Sequence, residues 1–216
     1  MAYPSEIKQK PFKQWLYIGM LVLWLVLLAA GIIWFQNSYV RPFLSQQDIS
    51  LLKVSGVQAR YQAIQEALQL PAGIKILSIW QPGCLCNQFS QRHAIALLND
   101  LQKTSVPHYT LLTRPVSASE LESFRLLNPG SQILDASGKG LDFPPAPSLL
   151  MVDANEQVTY FGPYGFGAFC SQDDANALTE QLHATQTGEA SPFLNVLGKG
   201  CFCGTDIANS TNSSVK

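Results

Sequence analysis

Four of the five cysteines in this 216-residue chain fall in two C-x-C pairs, Cys84/Cys86 and Cys201/Cys203; the fifth is Cys170. Cysteines scattered through a core rarely fall in this way. The pairs sit in near copies of one short sequence, Gly83-Cys84-Leu85-Cys86 and Gly200-Cys201-Phe202-Cys203. Thiolates attack disulfides, and they are soft ligands for Cu(I) and Zn(II). Three chemistries follow. Cys84 and Cys86 can run thiol–disulfide exchange, with Cys170, Cys201 and Cys203 as accessory redox or disulfide partners. Cys84, Cys86, Cys201 and Cys203 can instead supply four sulfurs to a tetrahedral copper or zinc ion. In the third reading the cysteines form structural disulfides of a non-catalytic interaction domain. Cys201 and Cys203 would then staple the C-terminal segment to Cys170 or to the first pair. An odd number leaves at least one thiol free, metal-bound or intermolecular.

The elements around Cys84 decide how reactive it is. Ile74 to Trp80 is a short apolar, β-branched run that reads as a buried strand, and Pro82-Gly83 breaks it. Asn87 to Lys103 has the apolar spacing of a helix. Cys84 therefore lies where a strand hands over to a helix N-terminus. Unpaired backbone N–H groups and the positive end of the helix dipole there favour thiolate, lowering the pKa from about 8.5. Residues two apart on a helix point about 200° apart, whereas a disulfide needs its Cβ atoms about 3.5–4.5 Å apart. Cys84 and Cys86 can bond to each other only if Cys84 precedes the helix. Such a tight ring is expected to be easily reduced, which suits an oxidase or isomerase better than a strong reductant.

The remaining elements follow the same rules. Ser55–Leu70 is helical, stopped by Pro71-Ala72-Gly73, and His108–Leu112 reads as a strand. Ser117-x-x-Glu120 is a capping box for a helix over about 118–127. Pro147–Val152 and Gln157–Phe161 flank the turn Asp153–Glu156 as an antiparallel hairpin. Asp173–His183 is a last long helix, and Ser191–Leu194 has the Pro192 of a short helix start. Helices between the early strands imply parallel crossovers, and the hairpin adds antiparallel pairing. The expected architecture is α/β, a mixed sheet covered by helices.

Three segments resemble the thioredoxin-like superfamily, above all its membrane-anchored periplasmic members. They are Ile76-Leu77-Ser78-Ile79-Trp80-Gln81-Pro82-Gly83-Cys84, Ala146-Pro147-Ser148-Leu149-Leu150, and the hairpin from Met151 to Val158 with Gly162 beyond it. The resemblance spans about residues 55–187. It implies that Cys84 attacks, that Cys86 resolves, and that Pro147 is a cis-proline facing the cysteines. It implies a protein thiol or disulfide as substrate, and no cofactor. Two departures stand out. The pair is C-x-C rather than C-x-x-C, and Ser78 occupies the position of the acid that many thioredoxins bury two residues before the tryptophan.

Trp15–Phe35 carries no charge and has aromatic residues at both ends. A helix of that length, at about 1.5 Å per residue, crosses a bilayer core of about 30 Å. The run continues past Ala29-Ala30-Gly31, which favours an uncleaved anchor over a signal peptide. Lys8, Lys10 and Lys13 precede it and Arg41 follows, so the N-terminus is expected in the cytoplasm and the rest in the periplasm of a bacterium. The expected organisation is a tail (1–14), a membrane helix (15–35), a linker (36–54), a thioredoxin-like domain (55–187) and a C-terminal extension (188–216). Net charge is −1 and charged residues are 13% of the chain, so no basic surface points to nucleic acid. His93, His108 and His183 have no partner motif and read as surface or structural residues. Tyr160, Phe161, Tyr164, Phe166 and Phe169 form an aromatic set that suits core packing or a docking surface.

Overall fold

The computed structural model of the chain describes residues 10–44, 46–164 and 173–203. It divides into two units, Met1–Val40 and Arg41–Lys216. The first is a single helix, α1 (Lys10–Tyr39). Its stretch Gln14–Asn37 has a mean hydropathy of 2.6 and no buried residue. By length and composition it can cross a membrane.

The second unit is built on a six-stranded sheet in the order β4-β3-β2-β5-β6-β7. The strands are β2 (Lys75–Trp80), β3 (His108–Leu112), β4 (Gln132–Asp135), β5 (Ser148–Val152), β6 (Val158–Gly162) and β7 (Phe193–Leu194). β2 runs parallel to β3 and antiparallel to β5, and β5 is antiparallel to β6. Together with the helices this is the thioredoxin-like architecture expected from the sequence.

The period of two along each strand sorts side chains between two cores. Leu77, Ile79, Leu150 and Val152 face Val57, Tyr61 and Ile64 of α2 (Val54–Leu68). Ile76, Leu149 and Met151 face Leu97, Leu98 and Leu101 of α3 (Cys86–Leu101) and Leu178 and Leu182 of α5 (Asp173–Thr187). Because both faces are covered, β2, β3, β5 and β6 read as apolar runs rather than alternating ones. α4 (Ala118–Leu127) connects β3 to β4.

Two expectations need correction. Residues 36–54 are not a linker. α1 continues to Tyr39, β1 covers Val40–Pro42, and a 3-10 helix covers Gln46–Leu52. Phe43 and Leu51 are buried in the α2-side core, and burying such side chains is worth about 1.5–3 kcal/mol each. Ser191–Leu194 does not start a helix. Phe193 and Leu194 pair in parallel with Tyr160 and Phe161 as a sheet edge. The following Asn195 lies so close to Gly162 that a Cβ there would meet it at 2.7 Å.

One buried charge ties the unit together. The Lys75 ammonium, 1% exposed, reaches both Glu156 carboxylate oxygens at 2.8 and 2.9 Å and the Tyr61 hydroxyl at 2.8 Å. Gln65 donates to the same carboxylate at 2.7 Å, and the Tyr61 hydroxyl and Gly73 N–H also donate to it. Glu156 occupies the left-handed region at φ 62° in the β5–β6 turn, an unusual place for a side chain of its size. Burial alone would raise its pKa. The bonds from Lys75, Tyr61 and Gly73 outweigh that and hold it below the ordinary 4.5.

Its stabilisation is therefore complete above an unfolded pKa near 4.5 and is lost as pH falls through the lower folded value. Glu156→Gln leaves the Lys75 charge buried without a counter-charge. Urea unfolding at pH 7 should show a loss of about 2 kcal/mol or more. Its stability should also vary less with pH below 4.5 than that of the wild type; an unchanged acid limb would refute the assignment.

Candidate functional site

β2 ends at Trp80, and the chain turns through Gln81-Pro82-Gly83, with Gly83 at φ 73°. The Cys84 N–H donates to the Gln81 carbonyl at 3.1 Å, closing the turn. Cys84 precedes the helix, Leu85 has helical dihedrals, and Cys86 is the first residue of α3. No side chain caps this helix; its Asn87 and Gln88 N–H groups donate to the Cys84 and Leu85 carbonyls at 3.1 Å. Both cysteines are buried, 7% and 4% exposed.

The sulfurs pair across the two motifs. Cys84 bonds to Cys203 and Cys86 to Cys201, with Cα–Cα separations of 6.1 and 5.2 Å. The Sγ atoms of Cys84, Cys86 and Cys203 all lie within 4.8 Å of one another. The structure thus gathers the four sulfurs of the two pairs in one place. It realises the stapling option rather than a bond within either pair. Cys170, Phe166 and Phe169 lie outside the described residues.

The partner cysteines arrive on a strap that follows α5. After β7, the Asn195 N–H donates to the Phe161 carbonyl at 2.8 Å. The Gly198 carbonyl accepts from the Phe43 N–H at 2.9 Å, next to β8 (Lys199–Cys201). Phe202 packs edge-on against Phe43 at 5.0 Å between ring centroids. The Ala146–Pro147 bond is cis, as the resemblance implies. Ala146 and Cys203 exchange backbone hydrogen bonds of 3.2 and 2.8 Å as an antiparallel bridge. Cys203 therefore meets Cys84 as a short extended peptide laid beside the cis-proline.

Beside Cys84 lies a cavity of about 350 Å³, lined by Ser78, Trp80, Cys84, Glu120, His108 and Pro147 among others. Trp80 stacks on Phe124 of α4 at 4.2 Å. Ser117 caps α4 by accepting the Glu120 N–H at 3.2 Å. The Glu120 carboxylate accepts the Gly83 N–H at 2.9 Å, tying α4 to the residue before Cys84. The capping-box pattern in the sequence located the helix but gave no sign of this second use.

Of the surface and structural roles open to His108, the structure shows the buried one: it is 7% exposed, and burial pushes its pKa down to about 4. Its Nε2 lies 2.6 Å from the Ser78 hydroxyl, which also accepts from the Tyr164 hydroxyl. Burial pushes Tyr164 up to about 12, opposed in part by the bond to Ser78. A neutral polar cluster thus stands where a buried acid is usual in the resembled family. The available signal was position: His108 opens a strand whose residues are all buried. His183 is exposed on α5, as expected.

No curated protein matches the chain. Among solved structures it is similar to a secreted Mycobacterium tuberculosis disulfide oxidoreductase homologous to Escherichia coli DsbE. Identity is 18%, over 54% of this chain and 84% of that one, with a TM-score of 0.43. It is also similar to a hypothetical protein from Sinorhizobium meliloti, at 9% identity over 65% and 81% with a TM-score of 0.50. An uncharacterised conserved protein from Geobacillus kaustophilus is similar at 14% identity over 63% and 79%, with a TM-score of 0.47. The family described as "Domain of unknown function (DUF6436)" matches residues 54–205, and the chain belongs to that family.

Proposed function

We propose that this chain is a thiol–disulfide oxidoreductase, anchored by α1 in a bacterial inner membrane with its folded unit in the periplasm. Lys10 and Lys13 at the start of α1, with Lys8 before it, keep the N-terminus inside by the positive-inside rule. The opposite side of the membrane permits disulfides.

The observation that carries the reading is the state of Cys84. It stands at an uncapped helix start, bonded to a cysteine that is laid against the backbone of Ala146 beside cis-Pro147. Cys203 occupies the position of a substrate cysteine. A substrate thiolate attacks the Cys84 sulfur, the Cys84–Cys203 bond breaks, and Cys203 leaves as a thiolate. A second substrate thiolate then attacks the mixed disulfide. It forms the substrate disulfide and releases Cys84 as a thiolate, which the helix N-terminus stabilises. Two electrons pass from the substrate dithiol to the Cys84–Cys203 bond, and the two thiol protons go to solvent or to the new thiolates. Once an external dithiol has reduced the Cys86–Cys201 bond, the Cys86 thiolate, its sulfur within 4.8 Å of that of Cys84, can attack Cys84 in a stalled mixed disulfide, and the substrate leaves as a thiolate.

The full chain should oxidise a fluorescent dithiol peptide, and Cys84→Ser should abolish this. Wild-type rates from Cys84→Ser would sink the proposal. Glu120 adds a signed test. Its carboxylate sits one residue from Cys84 and disfavours a second negative charge there. In the reduced protein, Glu120→Gln keeps a hydrogen-bond acceptor for Gly83 but removes the charge. Alkylation of Cys84 at pH 7 should be faster than in the reduced wild type, and slower alkylation would contradict this role.

A further inference from the structure

The four sulfurs meet the demands of a metal centre once they are reduced. In a tetrahedral zinc–thiolate site the Zn–S distance is about 2.3 Å, which sets sulfurs about 3.8 Å apart. Three of the sulfurs here already lie within 4.8 Å of one another, and the fourth, from Cys201, is bonded to one of them. Opening the two S–S bonds therefore asks for small side-chain movements. Among the described residues the cluster contains no histidine or carboxylate, so its donors are all soft sulfur.

The strap has contacts besides its disulfides. It is held by the β6–β7 pairing, by the Asn195 and Gly198 backbone bonds, by the Ala146–Cys203 bridge and by Phe202 against Phe43. With these contacts kept, reduction leaves four thiols gathered, with Cys84 and Cys86 buried. Four thiolates crowded there repel each other unless a cation offsets them.

We propose that the reduced chain binds one Zn(II) ion tetrahedrally through Cys84, Cys86, Cys201 and Cys203. A phosphine reductant converts each disulfide to two thiols and becomes a phosphine oxide with oxygen from water. Zn(II) then displaces four protons from the four thiols. The site goes beyond the oxidoreductase reading and does not rest on it, since peptide oxidation can be assayed separately in the presence of a chelator.

The test uses the full chain in detergent micelles, reduced anaerobically with a water-soluble phosphine and titrated with Co(II). The wild type should develop the intense sulfur-to-cobalt and visible bands of tetrahedral thiolate Co(II), saturating at one ion per chain, and Zn(II) should bleach them. Cys201→Ser should weaken binding about tenfold or more, whereas Cys170→Ser should leave the spectrum unchanged. Only the weak spectrum of six-coordinate Co(II) from the wild type would overturn the proposal. So would wild-type bands and affinity in a Cys201→Ser/Cys203→Ser double variant, or loss of the bands in Cys170→Ser. Collapse of the far-ultraviolet circular dichroism on reduction would also overturn it, because the strap would then depend on its disulfides.

Discussion

The constraint behind the site is the one-residue spacing of Cys84 and Cys86 at the start of a helix. Cys84 precedes α3 and Cys86 is its first residue, and their sulfurs lie within 4.8 Å of each other without being bonded. The structure gives each a partner elsewhere, and the second C-x-C motif provides both. Pairing across the motifs joins residues 119 and 115 positions apart. The C-terminal segment thereby becomes part of the site and not an appendage to it.

That arrangement alters what the thioredoxin-like frame offers. The sheet still places a cysteine at a strand–helix junction beside a cis-proline. The backbone position next to that proline, however, is already taken by Cys203. On the proposed function, an external thiol must displace Cys203 from Cys84. The polar interior differs as well, with Ser78, His108 and Tyr164 bonded to each other and His108 held neutral by burial. Behind them, Lys75 and Glu156 lock the start of β2 to the β5–β6 turn, which fixes the strand that delivers Cys84.

Much of the frame was legible because long periodic segments reveal themselves. α2, β2, α3, β3, α4 and the β5–β6 hairpin follow from apolar spacing and turn residues, and Ser117 marked the start of α4. The short elements were not legible. β4 has four residues and β7 two, too few for a period to show, and β7 exists only because β6 offers an edge. Phe43 and Leu51 looked like linker because their burial depends on the strap and α2 closing over them. The cysteines could be named as the chemical centre from their spacing, but their pairing could not be chosen. It depends on where the strap returns, which is decided by backbone contacts at Phe43, Ala146 and Phe161 that no local pattern encodes.

The claim that Cys84 is held by Cys203 can be tested most directly by mapping disulfides in protein alkylated at the moment of cell lysis. Combined trypsin and chymotrypsin digestion cuts after Leu85 and Phe202 and so separates the members of each pair. Mass spectrometry should then find the Cys84 peptide joined to the Cys203 peptide and the Cys86 peptide joined to the Cys201 peptide. Bonds confined to Cys84–Cys86 and Cys201–Cys203, with no cross-linked peptide between the motifs, would contradict the account.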